Sequence, residues 1–534
     1  MFLNGDTKER TFTISEDLTS GKVLVDNDEA GATGVKNASG FKLTSRSITL
    51  DPLTAVVINK KGGDSEIPGT PPPGGSSYSG ASSSASAPAS HPTPDALSKL
   101  LANLPKDDAK AVETIIAALN ELGTVADVKV TDVKGTNVAA VDAAKLQTAL
   151  SNLLKGLESV EKALADNSKL LEKVKAGVSV TVKVADISGT SVEVNIPADV
   201  MNKINQAGLE ISIVTSDATV TIPANAIHVA GAKEIKLTKK LLEETEAQSV
   251  LSKAGVANQS LQPVSRMFEF TFAVVDQNGN SSNLSSFNKN LHVSLQLIAQ
   301  NLAKLADKRK AGVYHIAADG SVNFQGGTFN GQQIHFLTDH FSNFIVLEST
   351  KTFGDTVGNW AKEYIEVLAA RSITDGVSAD VFAPNGTVTR GQMAVFLGRV
   401  LHVSEESQSG AFPDVSSEQF YTGYVNALKV AGIINGYEDG SFRPNQAVTR
   451  EEMITMIMKA YNYAAGETTA VESGAESFKD IHLVSGYAVD SLKAAASLGF
   501  VEGDAGGNFE PKSLFTRAQM AKVLVKLMEK TGQF

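Results

Sequence analysis

The chain of 534 residues contains no cysteine. That excludes a disulfide framework, thiol catalysis and cysteine-ligated zinc, and suits a surface protein of a Gram-positive type as well as a cytosolic one. No apolar run approaches the ~20 residues that a membrane span requires. Basic residues are not in excess: 48 lysines and arginines face 59 aspartates and glutamates, a net charge of −11. Affinity for nucleic acid rests on neutralising phosphates, so no such partner is expected. The opening Met1-Phe2-Leu3-Asn4-Gly5-Asp6 lacks a basic n-region and an apolar h-region, so no secretory signal is read there. Phosphate-loop, dinucleotide and Ser-His-Asp signatures are missing too, and no cofactor is expected. The eight histidines are scattered. His335, Asp339 and His340 form the only local cluster, and no metal is assigned to it in a β-rich stretch.

What is present is ordinary globular material, 42% apolar and 20% charged, over a length that implies three or more domains. The expected fold class is multidomain α+β. Residues 60–94 hold seven of the sixteen prolines and nine serines, which offer nothing to bury; this is read as a disordered linker. Residues 1–59 read as a small β domain. Thr11–Ile14, Lys22–Val25, Ser47–Leu50 and Ala55–Ile58 are short β-branched runs between Gly, Asn and Asp turns.

Residues 95–177 read as helical. Val112, Ile115, Ile116, Leu119 and Leu122 share one face after Asp107, a candidate N-cap. Leu146, Leu150, Leu153, Leu157, Val160, Leu164 and Leu171 then form a coiled-coil-like seam, open to an intramolecular hairpin or an oligomerising stalk. Residues 178–350 turn β-rich. Val178–Val182, Ala218–Pro223, Phe268–Phe272 and Phe344–Leu347 suggest a sandwich-like spacer, with a helix near Leu291–Leu305.

From residue 351 the chain repeats itself three times, over 351–404, 410–464 and 476–532. Phe382-Ala383-Pro384 with Thr389-Arg390 recurs as Phe442-Arg443-Pro444 with Thr449-Arg450 and as Phe509-Glu510-Pro511 with Thr516-Arg517. Each unit opens on Phe-x-Asp, with Asp355, Asp414 and Asp480, and Trp360 aligns with Phe420 and Tyr487. A first amphipathic helix leads into a Gly-rich loop, fullest in Ile434-Asn435-Gly436-Tyr437-Glu438-Asp439-Gly440. A second helix opens on a capping box: Thr389 with Gln392, Thr449 with Glu452, Thr516 with Gln519. Each arginine falls in the first helical turn, beside N–H groups that await partners, which suggests an anion site.

This pattern resembles the S-layer homology family. The resemblance implies an α-helical pseudo-threefold trimer of repeats that binds secondary cell-wall polysaccharide, typically pyruvylated, in grooves between repeats. It implies that Arg390, Arg450 and Arg517 grip a ligand carboxylate, while Asp355, Asp414, Asp480 and Trp360 shape the sugar surface. Gly436 and Asp439 of the fullest loop join the candidate binding residues. Two alternatives stay open: the arginines as partners of the three aspartates, and Trp360 as a core residue. Residues 351–534 carry 16 basic and 22 acidic side chains (16 − 22 = −6), so an acidic glycan must be held by directed contacts rather than by the overall field. The 178–350 stretch resembles spacer modules that precede wall-binding repeats in bacterial surface proteins.

The order Gly21-Lys22-Val23-Leu24-Val25, Ser39-Gly40 and Ile48–Ile58 resembles the all-β C-terminal domain of pullulanases and related α-glucan hydrolases. The resemblance implies a domain with no chemistry of its own, packed on a catalytic barrel. A (β/α)₈ unit takes ~250 residues, so the barrel and a signal peptide are expected before Met1. Two functions follow from these readings. One is a non-catalytic wall anchor at the end of an extracellular α-glucan hydrolase, the α-glucan being met through the upstream domain. The other is a structural S-layer or wall-associated protein with no enzymatic partner.

Overall fold

The computed structural model describes strands within residues 1–59 and residues 94–103, 108–186, 189–403, 411–466 and 478–534. The expected linker lies outside the described residues, apart from Pro94, which opens the helix Pro94–Leu101. Within the N-terminal unit, two three-stranded antiparallel sheets form. One orders Phe2–Leu3, Ala55–Asn59 and Lys22–Val25; the other orders Arg10–Thr13, Ser47–Leu50 and Phe41–Leu43.

The second unit, Ala87–Phe534, contains both helices and mixed sheets. Its first part corrects the expectation of a helical segment followed by a separate β module. Strands Thr124–Lys129 and Thr136–Ala140 interrupt the 95–177 segment, and each pairs in parallel with a strand beyond it, Ser179–Ala185 and Val192–Pro197 respectively. These short threonine- and valine-bearing runs have strand propensity that the flanking leucine periodicity masks. A seven-stranded and a ten-stranded sheet result, sharing one core with the helices. Leu146, Leu150, Leu153, Leu157 and Val160, on the helix Ala143–Ala163, are buried in that core. The seam is therefore filled from within the chain, not by a second copy. The helix expected near Leu291–Leu305 is also corrected. Leu291, Val293 and Leu295 are buried at every second position of the strand Leu291–Gln296, and only Ala299–Leu302 is helical.

His335 bonds to Ser294 at 2.6 Å, while His340 meets Asp339 and His315. Among the described residues no cluster of His, Asp and Glu is arranged to hold a metal, and no helix is long and apolar enough to cross a membrane.

The repeats form a second core, with Phe382, Phe442 and Phe509 fully buried in it. All three expected capping boxes are present, opening the helices Arg390–Val400, Arg450–Ala465 and Arg517–Lys530. The repeats interlock through a closed ring of backbone bonds. Val388 N–H donates to Phe515, Phe515 to Val448 and Val448 to Val388, at 2.9–3.1 Å. The first repeat is seated on the β-rich part by buried Arg371, which donates to the carbonyls of Arg309 (2.8 Å) and Gly327 (2.7 Å), and by the ion pair Lys310–Glu366 (2.6 Å).

Candidate functional site

Ring closure changes the meaning of the helix N-termini. Arg390 N–H donates to Gln446 and Gly391 N–H to Pro444; Arg450 and Glu451 donate to Ser513 and Pro511; Arg517 and Ala518 donate to Gly386 and Pro384. The third N–H of each helix goes to the capping threonine. The expected free N–H groups beside each arginine are thus occupied by the neighbouring repeat, and the anion site cannot be a bare helix terminus. What remains for a ligand is the arginine side chain.

Each arginine reaches the loop of the following repeat. Arg390 Nε donates to the Phe442 carbonyl, Arg450 Nε to Phe509 and Arg517 Nε to Phe382, all at 2.7 Å. Each guanidinium also lies over the ring of that phenylalanine, 4.5–4.9 Å from its centroid. The aspartates hold the same peptides from the other side. Asp355 accepts from Phe382 and Ala383, Asp414 from Phe442 and Arg443, and Asp480 from Phe509 and Glu510, one N–H per oxygen at 2.7–2.9 Å. Arginine and aspartate are linked through one peptide rather than by direct pairing. The second N–H in each case belongs to a residue in the left-handed region, Ala383 (φ 60°), Arg443 (φ 56°) or Glu510 (φ 56°). A non-glycine residue there is strained, and the carboxylate holds it in place.

The three arginines are not equivalent. Arg390 is only 4% exposed, and its terminal nitrogens meet Glu452 (3.4 Å) and the Asn435 carbonyl (3.1 Å). It forms the floor of a 740 Å³ cavity shared with Gly436, Tyr437, Asp439 and Tyr487. Tyr437 donates to Glu452, and burial together with that carboxylate pushes its hydroxyl up to about 12. Arg517 is 5% exposed, with Nη2 buried and unpartnered among the described residues. Arg450 differs from both in its exposure. It is half-buried, and no hydrogen bond within the described residues reaches its terminal nitrogens. Burial pushes its guanidinium down, opposed by the nearby Glu510, Asp480 and Asp504. It lines a 270 Å³ groove with Trp360, Gly503, Asp504 and Lys522. Trp360 is 59% exposed, so it is not a core residue.

The fullest loop, 434–440, therefore stands over Arg390, and Arg450 faces the loop of the third repeat. Gly436 serves close packing: a Cβ there would lie 2.7 Å from the Phe412 ring and from the Ser441 carbonyl. Asp439 accepts from the Ser441 hydroxyl and from Arg443, which hold its carboxyl well below the usual range. One residue had no place in the sequence reading. Buried Glu451 accepts from Ser485 N–H and hydroxyl, Tyr487 and Lys512, joining the second repeat to the third. The signal for it was a carboxylate where the other repeats have Gly391 and Ala518.

Residues 352–394, 411–454 and 477–521 match the S-layer homology domain. This chain carries a triple S-layer homology module. Such repeats anchor proteins to the cell wall, so the module places the chain at the cell-wall surface. Residues 1–61 match the SpuA C-terminal domain. An amylopullulanase of Thermoanaerobacterium thermosulfurigenes is 37% identical over 244 residues, 44% of this chain and 13% of that protein. The exoglucanase XynX of Acetivibrio thermocellus is 38% identical over 188 residues, 35% of this chain and 17% of that protein. An S-layer protein of Bacillus thuringiensis subsp. finitimus is 26% identical over 189 residues, 35% of this chain and 22% of that protein. The chain thus spans less than a quarter of the length of each of these relatives.

Proposed function

We propose that the triple S-layer homology module, a pseudo-threefold helical bundle, binds an acidic, pyruvylated secondary cell-wall polysaccharide, with the Arg450 groove as its principal site. One observation carries this reading: Arg450 has its Nε fixed by Phe509, its terminal nitrogens meet no hydrogen-bond partner among the described residues, and it lines one groove with exposed Trp360. A guanidinium so held meets a ketal carboxylate with two parallel hydrogen bonds, and the indole offers a flat apolar face to the sugar. Arg390 and Arg517 act in the other two grooves, more as parts of their walls than as free cations. Asp355, Asp414 and Asp480 shape the sugar surface indirectly, by holding the loops.

The chain is the anchoring portion of a surface-attached, pullulanase-like α-glucan hydrolase, with its 1–59 β domain belonging beside a catalytic barrel encoded upstream. The SpuA C-terminal match and the amylopullulanase similarity support this. A second reading, a structural S-layer or wall-associated protein, draws on the similarity to the Bacillus S-layer protein. Genomic DNA before Met1 separates them: an open frame with barrel strands and paired carboxylates supports the hydrolase, a promoter and ribosome-binding site the structural protein. Polysaccharide binding is tested by sedimentation with sacculi before and after the polysaccharide is stripped.

A further inference from the structure

The strand Ala232–Leu241 buries Ile235, Leu237 and Leu241 on one face, and the remaining position of that series is Lys239. Its register neighbours are Val192 and Phe270, both in the core. A lysine with 2% of its surface exposed thus occupies a slot that the alternation reserves for an apolar side chain. Its Nζ lies 2.8 Å from Asp186 Oδ2 and 3.1 Å from Asp217 Oδ2. The Asp186 side chain is 1% exposed and that of Asp217 11%. Asp186 follows the strand Ser179–Ala185 and Asp217 precedes Ala218–Ile222, both in the seven-stranded sheet, whereas Lys239 belongs to the ten-stranded sheet. The three side chains join the two sheets across the core.

Two largely buried carboxylates converge on the Lys239 ammonium, and desolvating such charges is costly. The donors around them are specific. Ser216 N–H donates to Asp186 Oδ1 at 2.7 Å, and the Ser216 hydroxyl to Asp186 Oδ2 at 3.0 Å. Gly189 N–H and the same hydroxyl contact Asp217 Oδ2, at 2.8 and 3.3 Å.

We propose that Lys239 and Asp186 are joined by an intramolecular amide bond, formed in the folded chain with Asp217 as the proton carrier. The uncharged Nζ attacks Cγ of the protonated Asp186 carboxyl, so a C–N bond forms. Oδ1 becomes the amide oxygen, its developing charge stabilised by Ser216 N–H. Asp217 takes a proton from Nζ and returns one to Oδ2, the Cγ–Oδ2 bond breaks, and one water leaves. Nothing is oxidised or reduced, no co-reactant is needed, and Asp217 ends as it began. The contact distance supplies the proximity that makes an unactivated carboxyl reactive. The product removes the Lys239 and Asp186 charges from the core and ties the two sheets covalently.

The mass of the purified full chain tests this without any variant. The expected mass is below the sequence mass by one water, and proteolysis yields a branched peptide joining the Lys239 and Asp186 segments. The Lys239→Met and Asp217→Ala chains are expected to show no loss of water. A wild-type chain at its full sequence mass overturns the proposal. So does a water loss that persists in Lys239→Met, because the dehydration then lies elsewhere. A link that still forms in Asp217→Ala overturns the role given to Asp217.

Discussion

Arg450 Nε donates to the carbonyl oxygen of Phe509 at 2.7 Å, across the boundary between the second and third repeats. That bond fixes one side of a guanidinium that lines a groove. Its counterpart Arg390 makes the same bond to Phe442 but uses its terminal nitrogens internally. The same motif residue therefore carries different roles in different repeats.

The first prediction follows from that difference. Arg390→Ala removes a buried cation with three acceptors, leaving two carbonyls and Glu452 short of a donor. Thermal or denaturant unfolding is expected to show a loss of about 2–4 kcal/mol. A loss below about 0.5 kcal/mol, the range of ordinary surface substitutions, would mean that the Arg390 contacts are not formed.

Asp480→Ala leaves the Phe509 and Glu510 N–H groups without their acceptor and frees a residue held at φ 56°. The expected cost is about 2–3 kcal/mol, with Asp480→Asn milder because one acceptor oxygen is kept. Equal stability of the two variants and the wild type, read from denaturant midpoints, would contradict the loop-holding role.

These parts were unequally legible in the sequence. The capping boxes of Thr389, Thr449 and Thr516 were readable because their partners lie three residues away. The strands Arg10–Thr13, Lys22–Val25, Ser47–Leu50 and Ala55–Asn59 were readable from short β-branched runs, whereas Phe2–Leu3 and Phe41–Leu43, two and three residues long, were not. Which loop each arginine serves was not, because ring closure fixes it: Arg450 and Phe509 are brought together only when Phe515 pairs with Val448 and Val448 with Val388. The strands at 124–129 and 136–140 were hidden for a similar reason, since their partners lie beyond the next two helices.

Glu451 makes the repeat interface sensitive to acid. Burial alone would raise its carboxyl, but Lys512 and Ser485 outweigh that and hold it below the ordinary value of 4.5. A depressed carboxylate contributes stability that is complete above the unfolded value and lost as pH falls through the folded one. Glu451→Gln is therefore expected to be less stable than wild type at pH 7, with the gap narrowing below about pH 4.5. A gap that stays constant through acid would contradict the ionic role.

Trp360 is the only tryptophan in the chain, so its fluorescence reports on one groove. Soluble fragments of the wall polysaccharide are expected to shift or quench its emission, saturably. Trp360→Ala should change stability by no more than about 0.5 kcal/mol while weakening binding, since the ring is mostly exposed. An emission spectrum indifferent to saturating polysaccharide would remove Trp360 from the site.

The most direct measurement is co-sedimentation of wild type and Arg450→Lys with intact sacculi and with sacculi stripped of their polysaccharide, beside a thermal melt of each protein. Lysine keeps the charge but cannot form the paired hydrogen bonds. Binding to intact sacculi is expected to weaken roughly ten- to a hundredfold, the equivalent of ~1.5–3 kcal/mol. Stability should fall by only about 1 kcal/mol, for the lost bond to Phe509, and stripped sacculi should bind neither protein. Equal binding of wild type to stripped and intact walls, or undiminished binding of Arg450→Lys, would contradict recognition of an acidic wall polysaccharide through Arg450.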